Sequence, residues 1–320
     1  MRIAILYDAV ETRPQATADE RGVLEAVDAV DSALRGLGHW PIRVAVGRAP
    51  LAWLARLEAA RCDAAFNLCE GVGGRASLEA AVAAAVELLG VPLTGSSAET
   101  LALARRKDRV NALLEFAGLP VPRWQRERDG DPPAEWATFP AIVKPAGEDG
   151  SVGITQDSVV HDRPELHRAW QTGARYAPLL VQQLVGQREV NVGVVGAHVL
   201  PLSEIVFEAL PAGASPIVSY AGKWHAESAE DQATRPVCPA PLTPPLAARL
   251  TSLALQAWSL IGGAGYGRVD LRLDDDGSAY VLDVNPNADL APSAGLARMA
   301  DAAGWTYAEL IAHVLAEARP

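Results

Sequence analysis

Two acidic residues, an asparagine and an arginine alternate along one predicted β-hairpin, residues 267–287, GRVDLRLDDDGSAYVLDVNPN. We predict that residues 274–277 form a four-residue loop, so that Leu273 faces Ser278 and Arg268 faces Asp283. Strand alternation then gives the hairpin an apolar face and a polar face. The predicted apolar face comprises Val269, Leu271, Leu273, Tyr280, Leu282 and Val284. The predicted polar face comprises Arg268, Asp270, Asp283 and Asn285.

This polar face has the composition of a site for a divalent cation and a phosphate. Carboxylate and amide oxygens are the ligands that Mg²⁺ or Mn²⁺ prefers, usually together with substrate phosphates. An arginine held beside them can stabilise charge on a phosphoryl group in transfer. The alternative is a solvent-exposed sheet face with ordinary ion pairs. One arginine against two acids favours the metal site, because the carboxylates lack compensating cations.

A glycine-rich segment follows a second predicted strand, residues 141–144. The strand ends at Lys144, and the loop PAGEDGSVG, residues 145–153, comes next. Its small residues let backbone N–H groups approach phosphate oxygens. They are Gly147, Gly150, Ser151 and Gly153. A plain hairpin turn is the alternative for this loop taken alone.

Lysine is rare in this chain: of its 28 basic residues other than histidine, only Lys107, Lys144 and Lys223 are not arginine. A compact ammonium binds phosphate as a point charge, whereas arginine binds through a planar fork. The three positions are therefore candidate phosphate contacts. Lys107 on a solvated helix face and Lys223 in an exposed loop are the ordinary alternatives.

The end of one predicted strand and the start of the next could bind a nucleoside. Residues 182–185 (QQLV) end the first of these strands, and Glu189 begins the second. Backbone groups of such a crossover can meet an adenine edge, and the carboxylate can accept from ribose hydroxyls. A simple strand connection with polar ends is the alternative.

The elements that position these residues alternate at the N-terminus between short apolar strands and helices, which predicts a parallel α/β sheet. Ligands of such sheets bind at the carboxyl ends of the strands, here residues 8–20 and 67–75. Residues 98–118 are predicted to form one helix. Residues 208–235 show neither helical nor strand periodicity, which is typical of a lid or binding loop.

Composition excludes several classes of protein. The net charge is −11 and no long basic run occurs, so we expect no nucleic-acid surface. Three cysteines without CxxC spacing indicate reduced thiols and a cytoplasmic location. No apolar stretch is long enough to predict a membrane span or signal peptide.

Taken together and in this order, the motifs resemble the ATP-grasp superfamily, and within it the D-alanine–D-alanine ligase-like enzymes. The resemblance covers nearly the whole chain. It rests on Gly74, the predicted helix at 77–89, Lys107, and the segments GVPLTGS (90–96), IVKP (142–145), GSVGI (150–154), REVNVGVVG (188–196), AGKW (221–224), VCPA (237–240) and the hairpin.

The resemblance implies an α/β ATP-grasp fold of three domains with ATP between two sheets. Their expected bounds are residues 1–103 for an N-terminal parallel α/β domain, 104–187 for a central lid domain, and 188–320 for a C-terminal catalytic domain with a mobile loop at 208–235.

The resemblance also implies roles for individual residues. The expected catalytic residues are Arg268, Lys223 and Ser151. The expected ATP contacts are Lys107, Lys144, Gly150, Ser151, Gln182, Gln183, Val185, Glu189 and Lys223. The expected ligands of Mg²⁺ or Mn²⁺ are Asp270, Asp283 and Asn285, with Asp283 shorter than the family's usual glutamate. The expected substrate contacts are Asp19, Glu20, Asn67, Glu70, Glu79, Trp224 and Asn287.

The amino-acid half of the family pattern is replaced in this sequence. Gly150 and Trp224 stand where the D-alanine enzymes have a serine and a tyrosine. Residues 8–20 replace the family's GGxSxE stretch, and residues 286–289 replace its threonine and Ser-Pro-Gly turn. We therefore expect the family's chemistry on another substrate.

The expected activity is an ATP-dependent carboxylate–amine ligase that joins small amino-acid-like substrates through an acyl phosphate and releases ADP and phosphate. One alternative is a genuine D-alanine–D-alanine ligase with a rebuilt pocket. A nucleotide-binding protein without catalysis, and a kinase that stops at a phosphorylated product, are the others. The resemblance also implies a homodimer.

Overall fold

The N-terminal sheet is parallel, as strand and helix alternation predicted. The computed structural model describes residues 1–10, 17–127, 130–208 and 210–319, except the side chains of Asp19 and Glu20. β1 (Arg2–Asp8) lies between β2 (Trp40–Val46) and β3 (Ala64–Asn67). Four helices accompany these strands: α1 (Ala18–Gly36), α2 (Pro50–Ala60), α3 (Glu79–Leu88) and α4 (Ala98–Ala104).

Helices cover both faces of this sheet, which explains the continuous apolar run of β1. Ile3 and Ile5 pack against α1 on one face. Ala4 and Leu6 pack against α2 and α3 on the other. Ligands of parallel sheets bind at the carboxyl ends of strands. Asp8, Val10, Glu70 and Gly71, which lie at or just after those ends, line the cavity described below.

The last two helices complete the N-terminal core. α10 (Gly295–Ala302) and α11 (Tyr307–Ala316) contribute Leu296, Leu310 and Ile311 to the apolar cluster that contains Ile3 and Ile5. Leu93 and Arg319 exchange backbone hydrogen bonds of 2.7 and 3.0 Å. The chain therefore returns from its C-terminal part to its N-terminal sheet.

A four-stranded antiparallel sheet forms the central unit. Its strand order is β4-β7-β5-β6. The strands are β4 (Trp124–Arg126), β5 (Ala141–Pro145), β6 (Val159–Val160) and β7 (Leu179–Gln183). The helices are α5 (Lys107–Phe116) and α6 (Arg163–Gly173).

The single helix predicted over 98–118 is wrong, because α4 ends at Ala104 and α5 begins at Lys107. Arg105 turns toward Glu79, and the Lys107 N–H donates to the Ala146 carbonyl at 2.9 Å. These tertiary contacts outweigh the local helical preference.

The C-terminal sheet carries the predicted hairpin. Its strand order is β11-β10-β8-β12-β13, with β9 paired to β8. The strands are β8 (Arg188–Val195), β9 (His198–Val199), β10 (Ser203–Phe207), β11 (Thr234–Val237), β12 (Tyr266–Leu273) and β13 (Ala279–Asn285). α9 (Pro244–Leu260) packs on its apolar face.

The predicted register of the hairpin is wrong, although its polar face is confirmed. Leu273 pairs with Ala279, and a bulge at Leu282 places Asp270 opposite Asp283. The bulge lets Val281 and Val284 both enter the core, so Tyr280 and Leu282 do not belong to the apolar face. Arg268 pairs with Asn285, which keeps the four polar residues together.

Residues 208–235, hereafter the lid, contain regular structure that periodicity did not indicate. α7 (Tyr220–Trp224) and α8 (Ala229–Ala233) lie within the lid, and β11 begins at its end. Helices of five residues are too short for a periodic apolar pattern. Ser219 and Ser228 cap these two helices by accepting from backbone N–H groups.

Candidate active site

A cavity of about 640 Å³ lies where the three units meet. Its walls include Val10 and Thr17 after β1, residues after β3, the glycine-rich loop (145–153), α7 and the segment after β13. Among the residues predicted from the sequence, its lining includes Glu70, Glu79, Gly150, Lys223, Trp224, Arg268, Asn285 and Asn287. The cavity therefore brings together residues far apart in the chain.

Asp270 is the centre of the polar hairpin face. Arg268 donates to both oxygens of its carboxylate, at 2.6 and 2.9 Å. Asn191 Nδ2 donates to Oδ1 at 2.7 Å and Asn285 Nδ2 donates to Oδ2 at 3.0 Å. This network fixes the carboxylate and the guanidinium and leaves the amide oxygen of Asn285 as an acceptor.

The donor set of this face fits a divalent cation that arrives with phosphates. Asp270 and Asp283 are directly paired across the two strands, and Asn285 follows two residues later. Within the described ranges, no three or more His, Cys, Asp or Glu side chains form a ready-made metal site. Mg²⁺ commonly binds through one or two carboxylates plus substrate phosphates, and so needs no such protein cage.

Lys107 connects the hairpin to the glycine-rich loop. Its Nζ lies 2.5 Å from Asp283 Oδ2 and 2.6 Å from Asp149 Oδ1. Burial alone would lower the pKa of Lys107, but Asp149 and Asp283 outweigh it and raise the pKa. The ammonium is therefore held charged beside the predicted metal ligands.

Lys144 is a buried cation that has no hydrogen-bonded or ion-paired partner within the part of the chain described here. Burial lowers its pKa to about 8, and the charge of Asp283 opposes that shift. A buried ammonium is stabilised by an anion beside it. Lys144 is thus suited to a phosphate.

Gln182 and Glu189 differ sharply in how their polar atoms are satisfied. Gln182 is fully buried, and neither its Oε1 nor its Nε2 has a hydrogen-bond partner among the described residues. Buried polar groups without partners are costly, which points to a polar ligand at this position. Glu189 instead accepts from Arg272 Nη1 at 3.2 Å. The Val185 carbonyl accepts from Arg272 Nε at 3.0 Å.

The lid is hydrogen-bonded to the glycine-rich loop and the residues after it. Ser151 Oγ donates to the Val218 carbonyl at 2.8 Å. The Tyr220 N–H donates to the Ile154 carbonyl at 2.9 Å. Gln156 exchanges hydrogen bonds with the backbone of Ser215, at 2.8 and 3.3 Å. Ser151 therefore contacts the lid, and Lys223 and Trp224 reach the cavity.

Part of the cavity wall, formed by residues after β3 and after β13, is acidic. Glu70 and Asp289 both line it, and Asp289 occupies the last position of the segment that departs from the family pattern. Water reaches Glu70 through the cavity, yet the surrounding protein and the carboxylate of Asp289 together raise its pKa. A positive group beside Glu70 would therefore be stabilised.

Asn287 joins this wall to the N-terminal sheet. Its Nδ2 donates to Glu79 at 2.8 Å and to the Cys69 carbonyl at 2.9 Å, while its Oδ1 accepts from Tyr266 at 2.9 Å.

Asn67 lies away from the cavity, where its Oδ1 accepts from the Cys69 N–H at 3.1 Å. Asn67 thus shapes the turn after β3. The side chains of Asp19 and Glu20 lie outside the described residues.

Several site residues escaped the sequence-based prediction. Arg272 continues the alternation of Arg268 and Asp270, so strand period could have found it. Asp149 lies inside the glycine-rich loop that follows Lys144, and an acidic residue so close to a predicted phosphate-binding lysine is a signal that could have identified it. Arg105, which pairs with Glu79 and lies 3.4 Å from Asp149, carries no local signal.

Comparison with known proteins identifies the family. A family model described as the D-ala D-ala ligase C-terminus matches residues 112–316. The chain belongs to the D-alanine–D-alanine ligase family. The ligase of Nitrosospira multiformis is 32% identical over 246 residues, covering 76% of each chain. That of Gluconobacter oxydans is 31% identical and covers 99% of each.

Solved structures of this family show the same fold. The D-alanine–D-alanine ligase of Bacillus anthracis, in a crystal structure with ATP, gives a TM-score of 0.76 at 19% identity, covering 99% of this chain and 97% of that one. A second crystal structure of that ligase gives a TM-score of 0.78. The predicted α/β ATP-grasp fold is therefore confirmed.

Membership of the D-alanine–D-alanine ligase family makes this protein an ATP-dependent ligase that forms carbon–nitrogen bonds. The Bacillus anthracis ligase was crystallised with ATP, and the names of these relatives give D-alanine as their substrate. Among the described residues, no helix has both the length and the apolar character required to cross a bilayer. Cys62, Cys69 and Cys238 are free thiols.

Proposed function

We propose that the protein joins the carboxylate of one small amino acid to the amine of another, with a donor and acceptor that are not both D-alanine. A donor carboxylate oxygen attacks the γ-phosphorus of ATP, and ADP leaves. The acceptor nitrogen then attacks the acyl carbon, phosphate leaves, and the amine loses a proton. Positioning and charge neutralisation supply most of the catalysis in such transfers.

In this proposal, each residue predicted to contact ATP or the metal ion has a specific role. Gln182 binds the adenine edge, and Glu189 lies at the ribose with Gln183 and Val185 beside it. Lys107, Lys144 and Lys223 contact phosphates, and Gly150 and Ser151 shape the loop over them. Asp270, Asp283 and Asn285 hold Mg²⁺, which when bound neutralises phosphate charge. Arg268 faces the phosphoryl group in transfer.

The acidic wall carries the substrate part of the proposal. Glu70 and Asp289 line the same cavity as Lys223 and Arg268. Two amino groups enter this reaction. The amine of the acceptor must be unprotonated to attack, whereas the amino group of the acyl donor does not react and stays an ammonium. A pair of carboxylates therefore suits the ammonium of the donor. The donor is therefore an amino acid with a free ammonium, and Glu79 and Asn287 support this wall.

The test is phosphate release from ATP with Mg²⁺ across D- and L-amino acids offered in pairs. A pair other than D-alanine with itself should give the fastest release. A 2-hydroxy acid as donor should be inactive, since it lacks the ammonium. Glu70→Gln should raise KM for the donor more than for the acceptor. Absence of ADP and phosphate with every pair would contradict the proposal.

A genuine D-alanine–D-alanine ligase is the second candidate, favoured by the names of the relatives at 31–32% identity. D-alanine alone should then support maximal phosphate release. If D-alanine alone gave no phosphate release while another pair of amino acids did, this second candidate would be rejected.

We also propose a cytoplasmic homodimer with domains at 1–103, 104–187 and 188–320. Free thiols support the location. The resemblance to the D-alanine–D-alanine ligases is what supports the dimer. Light scattering on the eluting protein tests the mass, and a monomer at micromolar concentration would contradict the dimer.

A further inference from the structure

Trp224 contacts all three units of the molecule at once. It belongs to α7 in the lid, and its Nε1–H donates to the Gly150 carbonyl in the glycine-rich loop at 2.8 Å. The far edge of its indole ring lies against Gly22 in α1 of the N-terminal unit.

Gly22 forms a notch for the indole. A Cβ added at Gly22 would lie 2.9 Å from Cζ3 of Trp224, which is closer than real side chains approach, and 3.4 Å from Cη2. Glycine inside a helix costs about 1 kcal/mol relative to alanine, so α1 would be more stable with a side chain here. The contact with Trp224 gives a physical reason for the glycine.

The same ring supports Lys223. The Lys223 ammonium lies 4.8 Å from the centroid of the Trp224 ring, in the range of a cation–π contact. A Cβ at Gly150 would lie 3.7 Å from the indole Cζ2 and 4.0 Å from the Lys223 Nζ. Lys223, the glycine-rich loop and α1 are therefore brought into one arrangement through a single side chain.

We propose that Trp224 is a positioning residue, which holds Lys223 at the phosphate site by seating its indole between the Gly150 carbonyl and the Gly22 notch. Closing of the lid onto the glycine-rich loop is thereby coupled to the position of the N-terminal unit, which carries the acidic substrate wall. The role of Lys223 at the phosphate rests on the proposed function; the seating of the indole does not.

The decisive variant is Gly22→Ala, with Gly36→Ala as its matched control. Both lie in α1, and a Cβ at Gly36 meets nothing within 4 Å. Both changes should leave the melting temperature equal or higher, because alanine favours the helix. Only Gly22→Ala should displace the indole.

Two measurements report the displacement. Hydrogen exchange of lid amides, in the presence of Mg²⁺ and the non-hydrolysable analogue AMP-PNP, should be about tenfold faster in Gly22→Ala than in Gly36→Ala. With the best amino-acid pair, kcat should fall about 10- to 100-fold. KM for ATP should change less than about twofold, since the adenine contacts lie elsewhere.

A double-mutant cycle separates this mechanism from general damage to α1. Trp224→Phe removes the Nε1–H and shortens the ring, so Gly22→Ala added to it should change lid exchange less than about twofold. The proposal would be overturned if the lid amides exchanged hydrogen equally fast in Gly22→Ala and Gly36→Ala. It would also be overturned if Gly22→Ala accelerated this exchange as much in the Trp224→Phe protein as in the parent. The exchange measurement decides even if no amino-acid pair is a substrate.

Discussion

The ammonium of Lys107 lies 2.5 Å from the carboxylate of Asp283, a residue 176 positions away in the chain. Asp149 of the glycine-rich loop accepts from the same ammonium at 2.6 Å. Burial would raise the pKa of Asp149, but Lys107 and Arg105 hold it below its ordinary value. One lysine thus connects the loop proposed to hold phosphate with the strand proposed to hold the metal.

Asp283→Ala should abolish turnover while the protein stays folded. Loss of the carboxylate removes a proposed metal ligand and leaves Lys107 paired to Asp149 alone, so we expect ADP release to fall about 100-fold or more. Asp275→Ala, at the exposed tip of the same hairpin, is the control. An Asp283→Ala protein with ordinary turnover would refute the metal assignment.

Gln182→Leu should have opposite effects on folding and on nucleotide binding. The buried amide has no hydrogen-bond partner in the part of the chain that the structure describes, so its replacement by leucine should raise the free energy of unfolding without ATP by about 1–3 kcal/mol. The preference for ATP over inosine triphosphate should fall, because the 6-amino group loses its acceptor. Chemical denaturation and calorimetry measure the two effects. An unchanged nucleotide preference would remove Gln182 from the adenine site.

ATP affinity should depend on pH through Lys144. Its pKa of about 8 lies below the ordinary value, so the ammonium is charged below pH 8 and neutral above it. ATP should therefore bind more weakly as pH rises through 8, and binding at pH 8 should take up protons. Calorimetry in buffers of different ionisation enthalpy measures the uptake. Lys144→Arg should abolish the uptake, and uptake that persists would assign it to another group.

Lys223→Ala should impair turnover and lid closure more than folding. Its side chain is exposed to the cavity, where the contact with the Trp224 ring contributes little to stability. We expect a melting temperature within a few degrees of the parent and a kcat at least about tenfold lower. Lys223→Arg keeps the charge and should recover only part of the activity. Unfolding of Lys223→Ala would make the residue structural.

Local patterns were sufficient for much of this protein. Alternation along β12 and β13 put Arg268, Asp270, Asp283 and Asn285 on one face, since side chains of a strand point alternately to opposite sides. The apolar run of β1 indicated a strand covered on both faces. The rarity of lysine identified two residues, Lys107 and Lys144, that the fold buries beside the site.

Other features depended on contacts between distant segments. The bulge at Leu282 arises because Val281 and Val284 both pack in the core, which a fixed period of two cannot express. The break after Ala104 follows from the pairing of Arg105 with Glu79. α11 completes a core begun by β1, and no local pattern encodes that partner.

The sequence by itself determined that Arg268, Asp270, Asp283 and Asn285 share one face of the hairpin, because strand period fixes the side to which each residue points. Only the tertiary structure decided how Trp224 meets Gly22 and how Glu70 meets Asp289, because these pairs come from different units. Contacts of that kind depend on the three-dimensional packing of whole sheets and helices, and periodicity along the chain carries no information about that packing.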